Sequence, residues 1–164
     1  MPRLVRTATL SLLLVTGAAP GVAWAAGHQP ALPYQDASAV ALGAGLYAEH
    51  CAACHGANLE GEPNWRERDA DGYLPAPPHD VTGHTWHHPD AQLFAIVKYG
   101  TEALVGRGYR SNMAGYADIL SDAQILATLA YIKAQWPDRV IETHNTINAR
   151  AAGAGSDAGS GSAD

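Results

Sequence analysis

The sequence predicts an all-α fold, with three to five helices joined by long loops. Three observations predict it. Apolar residues recur at helical spacing in three separate stretches, each framed by start and stop residues. No stretch of useful length alternates apolar and polar as a strand does. Residues 56–89 are dense in Gly, Pro, Asn and Asp, including Pro63, Pro75, Pro77, Pro78 and Pro89. So long a loop is unusual in a compact domain unless it does something, and wrapping a bound group would account for it.

In chain order, Asp36 or Ser38 is placed to cap a first helix that runs to about Cys51, with Val40, Leu42, Leu46 and Tyr47 on its apolar side. Gly43 and Gly45 weaken it by about 1 kcal/mol each relative to Ala. Gly45 is the candidate for a close crossing by another helix. Pro89 opens a second helix, with Asp90 favourable at its positive end, Leu93, Phe94, Ile96 and Val97 on its apolar face, and Gly100 as its stop. Residues 101–120 read as loop. Ser121 with Gln124 forms a capping box for a last helix carrying Ile125, Leu126, Leu129, Ile132 and Trp136, which Pro137 ends. The domain is therefore expected over residues 36–137, after an extended lead-in at 26–35. A C-terminal extension occupies 138–164 and is expected to be disordered from about residue 150, where it turns to Ala, Gly, Ser and Asp.

The first 25 residues have the pattern of an export signal. Arg3 and Arg6 precede an apolar run from Leu10, and Ala23-Trp24-Ala25 fits a cleavage site after Ala25. The run is short for a membrane span, which needs about 20 residues; an uncleaved anchor is the alternative. The expectation is an exported, periplasmic, soluble monomer. Formal net charge is −6, and removing the two leader arginines makes the chain more negative still. That excludes a nucleic-acid partner, which needs clustered Lys and Arg.

The chemistry is concentrated in Cys51-Ala52-Ala53-Cys54-His55, which holds both cysteines of the chain. A disulfide two residues apart closes too small a loop to stabilise a fold. Three chemistries remain. Two thiols at this spacing can take the two vinyl groups of a haem, with the next residue, His55, on the iron. A dithiol redox site belongs after a strand, and here the preceding segment reads as helix. A zinc site can be completed by His84, His87 or His88. The export signal favours haem, which is attached outside the cytoplasm.

An electron-transfer haem needs a second axial ligand, commonly Met or His. Beyond Met1 the chain has one methionine, Met113, in the Gly-containing loop before the last helix (S-N-M-A-G-Y), and it is the preferred ligand. The rivals are His79, His84, His87 and His88, which also make a side site for copper conceivable. An iron-bound histidine usually gives its other ring proton to an acceptor, and a carbonyl of Pro77 or Pro78 suits that role. Trp65, Arg66, Tyr73 and Trp86 are candidates to line the pocket or meet the haem propionates.

Gly45-Leu46-Tyr47, the Cys51–Gly56 motif, and Met113 ahead of Leu129-Ala130-Tyr131-Ile132 together resemble a class I c-type cytochrome over roughly residues 36–136. The stretch from Pro63 through Leu74-Pro75-Ala76-Pro77-Pro78-His79-Asp80 to His84–Asp90 is similar to a subgroup of bacterial mono-haem cytochromes. The resemblance implies a cytochrome c-like fold around one covalent haem c, held by Cys51 and Cys54 with His55 and Met113 as axial iron ligands. It implies that the first and last helices cross near the motif, at Gly45 and Tyr131. It also implies a carrier of single electrons, not an enzyme, that meets redox proteins transiently, a membrane-bound donor or acceptor among them. The other readings are a haem subunit of a dehydrogenase or oxidase, a peroxidase-like enzyme, and a haem- or copper-binding protein using the histidine-rich loop. One departure stands out: in that family the axial Met is commonly followed by Pro, and here Ala114 follows.

Overall fold

The structure, a computed structural model, describes residues 31–159, with side chains through 154. The export signal and the first part of the lead-in lie outside the described residues. Among those described, the fold is all-α: helices α1 (Ala37–His50), α2 (Ala52–His55), α3 (Asp90–Tyr99), α4 (Thr101–Val105), α5 (Asp122–Ala134) and α6 (Asp138–Gly159), with a 3-10 turn at Thr85–His87. None is long and apolar enough to cross a membrane.

Helix α1 begins at Asp36, whose carboxylate accepts from the backbone N–H of Ser38 and Ala39. Its main packing partner is α5. The crossing glycine is Gly43, not Gly45: a Cβ on Gly43 would collide with the carbonyl oxygen of Ala127 and stand 3.0 Å from Tyr131 Cβ, whereas one on Gly45 meets nothing within 4 Å. Leu42, expected inside, is exposed; Leu46 and Tyr47 are buried. Helix α5 has the expected capping box of Ser121 and Gln124. It supplies much of the core, with Ile125, Leu129 and Ile132 packed together with Leu46, Tyr47 and Leu93.

Helix α3 starts after Pro89 and stops at Gly100, whose φ of 83° suits glycine. The segment expected as loop contains the short α4. Beyond it, Ala114 pairs with Gly100 in an isolated bridge. The N–H groups of Tyr116 and Ala117 donate to Val97 and Lys98 carbonyls, so the loop carrying Met113 lies along the end of α3.

The largest difference from the sequence expectation is at the C-terminus. Residues after Pro137 form α6, and the helix continues past residue 150 to Gly159. Its first turns dock: Val140 and His144 are buried. Nucleation is the costly step in helix formation. Once those turns are fixed, the Ala-rich residues beyond extend a helix they would not start alone.

Candidate functional site

Cys51 ends α1 and opens the single turn of α2. Its carbonyl accepts from the N–H of Cys54 (3.2 Å) and His55 (2.9 Å), so all three functional side chains leave one tight turn. Gly56, at φ 81°, ends that turn, and the Tyr47 hydroxyl donates to its carbonyl at 2.8 Å. The cysteines are unpaired; Cys54 is exposed and Cys51 half-buried. Burial, and then the nearby Cys54, push the Cys51 thiol up to about 11.

The chain then returns onto His55. Leu59, in the left-handed region at φ 69°, turns its carbonyl to accept from the N–H of His79 and of Asp80. Gly61 lets this loop lie against Pro77 and Pro78, whose backbone leaves no room for a Cβ. The result is a hydrogen bond of 2.8 Å between His55 Nδ1 and the Pro77 carbonyl. The acceptor can only accept, so Nδ1 carries the proton and Nε2 keeps its lone pair. His55 is buried, and burial lowers its pKa despite the opposing pull of the Pro77 bond, so the ring is neutral at pH 7. A neutral imidazole with Nδ1 fixed and Nε2 bare is the form that binds iron.

Met113 is half-buried in its loop, and its N–H donates to Ser111 Oγ at 3.1 Å. Three residues on, Tyr116 donates its hydroxyl to the His50 carbonyl at 2.9 Å and packs, as Cys51 does, against the buried core. The methionine loop is thereby tied to the attachment turn.

The other histidines are occupied elsewhere. His79 stacks on the face of the His55 ring, ring centroids 4.0 Å apart, so its own ring lies beside that of His55. His84 stacks on Trp65, and His87 on Trp86. Among the described residues, no three or more His, Cys, Asp or Glu side chains are grouped to hold a metal ion. Arg66 lies over Trp65, Tyr73 pairs with Arg110, and Trp86 lines a surface hollow with Val140 and Thr143 of α6. His79 as a neighbour of the His55 ring was missed from sequence, because its approach depends on the turn at Leu59.

The donor set fits a covalently held haem: two unpaired thiols and a bare imidazole nitrogen on one turn, with a thioether on a loop fastened to that turn. Comparison with curated proteins and with solved structures finds no match. The sequence model of the family described as cytochrome c matches residues 40–136, the span from α1 through α5. The chain belongs to the cytochrome c family, all-α in fold, and its cofactor is covalently bound haem c.

Proposed function

We propose that the protein is an exported mono-haem cytochrome that carries single electrons between redox partners it meets transiently. Cys51 and Cys54 form the thioether links, and His55 Nε2 and Met113 are the axial ligands. The observation that carries this reading is the His55–Pro77 hydrogen bond beside two unpaired cysteines. When bound, the haem supplies a one-electron couple at its iron.

The chain's own residues set the conditions. The Pro77 carbonyl fixes the tautomer of His55 and the direction of its Nδ1–H, and makes it a more basic ligand. The bridge between Gly100 and Ala114, with the Tyr116–His50 bond, holds the methionine loop in place. With His55 and Met113 both holding the iron, no position would be left open for a substrate, as a carrier requires and a peroxidase does not. Docking is expected through a small contact near the haem edge, of the size typical of brief electron-transfer encounters.

The test is the spectrum of purified ferric holo-protein. The weak near-infrared band of a sulfur–iron bond is expected in wild type and absent from Met113→Ala, with a lower reduction potential in the variant. Rapid binding of carbon monoxide or cyanide by the wild type would overturn the closed-carrier reading. Expressed with its leader, the exported protein should have Ala26 as its first residue, read from its mass.

A further inference from the structure

Among the described residues, His79 is the side chain stacked on the proposed axial imidazole, and its surroundings hold it still. Its ring lies 4.0 Å from that of His55, with the planes 23° apart. Its N–H donates to the Leu59 carbonyl at 2.8 Å. Its carbonyl accepts from Trp136 Nε1 at 2.8 Å, and Trp136 is buried. Its ring Nδ1 is 2.8 Å from Thr85 Oγ1, which is also buried and reaches on to the Pro78 carbonyl at 3.4 Å. Backbone and ring edge are therefore both anchored, Tyr47 stands edge-on to the ring with centroids 6.3 Å apart, and one face of the ring lies against His55.

The Pro77 bond fixes where the Nδ1–H of His55 points. It does not by itself fix the tilt of the ring plane about that direction. A flat, immobile neighbour against one face removes this remaining freedom, in the offset geometry that stacked rings prefer. An aliphatic side chain of similar bulk would fill the space but would present no plane and rotate among rotamers.

We propose that His79 is a positioning residue for the axial ligand. Its anchored ring sets the plane of His55, keeps the hydrogen bond to Pro77 short, and thereby tunes the reduction potential of the bound haem. This rests on the reading of His55 as axial ligand. Loosening His55 weakens the bond at Nδ1, makes the imidazole less basic and favours ferrous iron, so the potential rises.

The experiment compares holo-protein of the wild type with His79→Ala, His79→Leu and His79→Phe. It reads the reduction potential, the ferric electron paramagnetic resonance g-values, and exchange of the His55 Nδ1 proton by nuclear magnetic resonance. In the Ala and Leu variants the potential should rise and the g-values spread. Proton exchange should quicken by roughly tenfold, the scale of one hydrogen bond's net contribution. The Phe variant, which restores a flat face, should return close to wild type in all three. Wild-type values in Ala and Leu would overturn the proposal, as would a Phe variant displaced as far as Leu. Should His79→Ala fail to mature, the Leu and Phe pair decides by the same criteria. A wild-type iron not ligated by His55 overturns the underlying reading as well, and is told apart because it shows in the wild type alone.

Discussion

At Gly43 one hydrogen atom decides whether α1 and α5 can cross as closely as they do. A methyl group there would be driven into the Ala127 carbonyl, which is helix backbone and cannot swing aside. Gly43→Ala should therefore destabilise the holo-protein by about 1–3 kcal/mol, the usual cost of overpacking, outweighing the gain in helix propensity. Gly45→Ala, on the exposed side, should stabilise it by up to about 1 kcal/mol. Denaturant melts of the two variants check this, and equal shifts would remove the argument. The sequence pointed to Gly45 because glycines carry no hydropathy and so do not report which face they occupy. Two positions differ by about 200° around a helix, so the error exchanges inside for outside. Where the signal is local, the sequence places the residues: Cys51, Cys54 and His55 share one turn, and a proline carbonyl meets His55. The three are read from adjacency, and of the two prolines expected to offer a carbonyl to His55, Pro77 does.

Asp90 shows how an element can be placed correctly and its meaning still be missed. The helix start after Pro89 was legible, and Asp90 was expected only to complement the helix dipole. It is instead buried, accepting from Leu32 N–H (3.0 Å) and Asn148 Nδ2 (3.0 Å), with Lys133 at 4.0 Å and His144 at 3.5 Å. Two of those partners belong to α6, which composition alone did not reveal, and a local reading has no access to what packs over a helix end. The cluster has a pH signature. His144 is fully buried and donates Nε2–H to the His88 carbonyl at 2.8 Å, while its Nδ1 has no partner among the described residues. Burial first, then the Lys133 ammonium, lower its pKa. As pH falls below about 6.5 the unfolded chain takes up a proton that the folded chain refuses. Stability is then held above that pH and lost below it until the lowered folded pKa is reached, by at most ~1.4 kcal/mol per pH unit from this group. Urea melts from pH 7.5 downwards should show the loss, with a shallower dependence in His144→Gln. An unchanged slope in that variant would place the effect elsewhere.

Across the molecule, two loops that are far apart in sequence carry the proposed site's neighbours, and they are fastened to each other. The long loop brings Pro77 to His55; the loop after α4 carries Met113. Arg110, three residues before that methionine, donates to the Asp71 carbonyl at 2.6 Å and to the Tyr73 hydroxyl at 2.8 Å, with its guanidinium 4.2 Å from the Tyr73 ring centre. The proline that commonly stiffens the chain after an axial methionine is Ala114 here, and the structure offers other restraints: the bridge from Ala114 to Gly100 and this clamp. Because Arg110 is exposed, its contribution should be modest, about 0.5–1 kcal/mol for a cation held over a ring in water. With Met113 as the proposed ligand, cyanide would reach the iron only when the methionine loop opens, so its binding rate would measure that opening. In Arg110→Ala the rate should rise roughly two- to fivefold, the Boltzmann factor of that energy, while covalent haem content stays unchanged. Tyr73→Phe, which loses the hydroxyl acceptor but keeps the ring, should fall between the variant and the wild type. If Arg110→Ala binds cyanide at the wild-type rate in stopped-flow mixing, the loops open independently, and the bridge at Ala114 with the Tyr116 anchor must hold the methionine without help from the long loop.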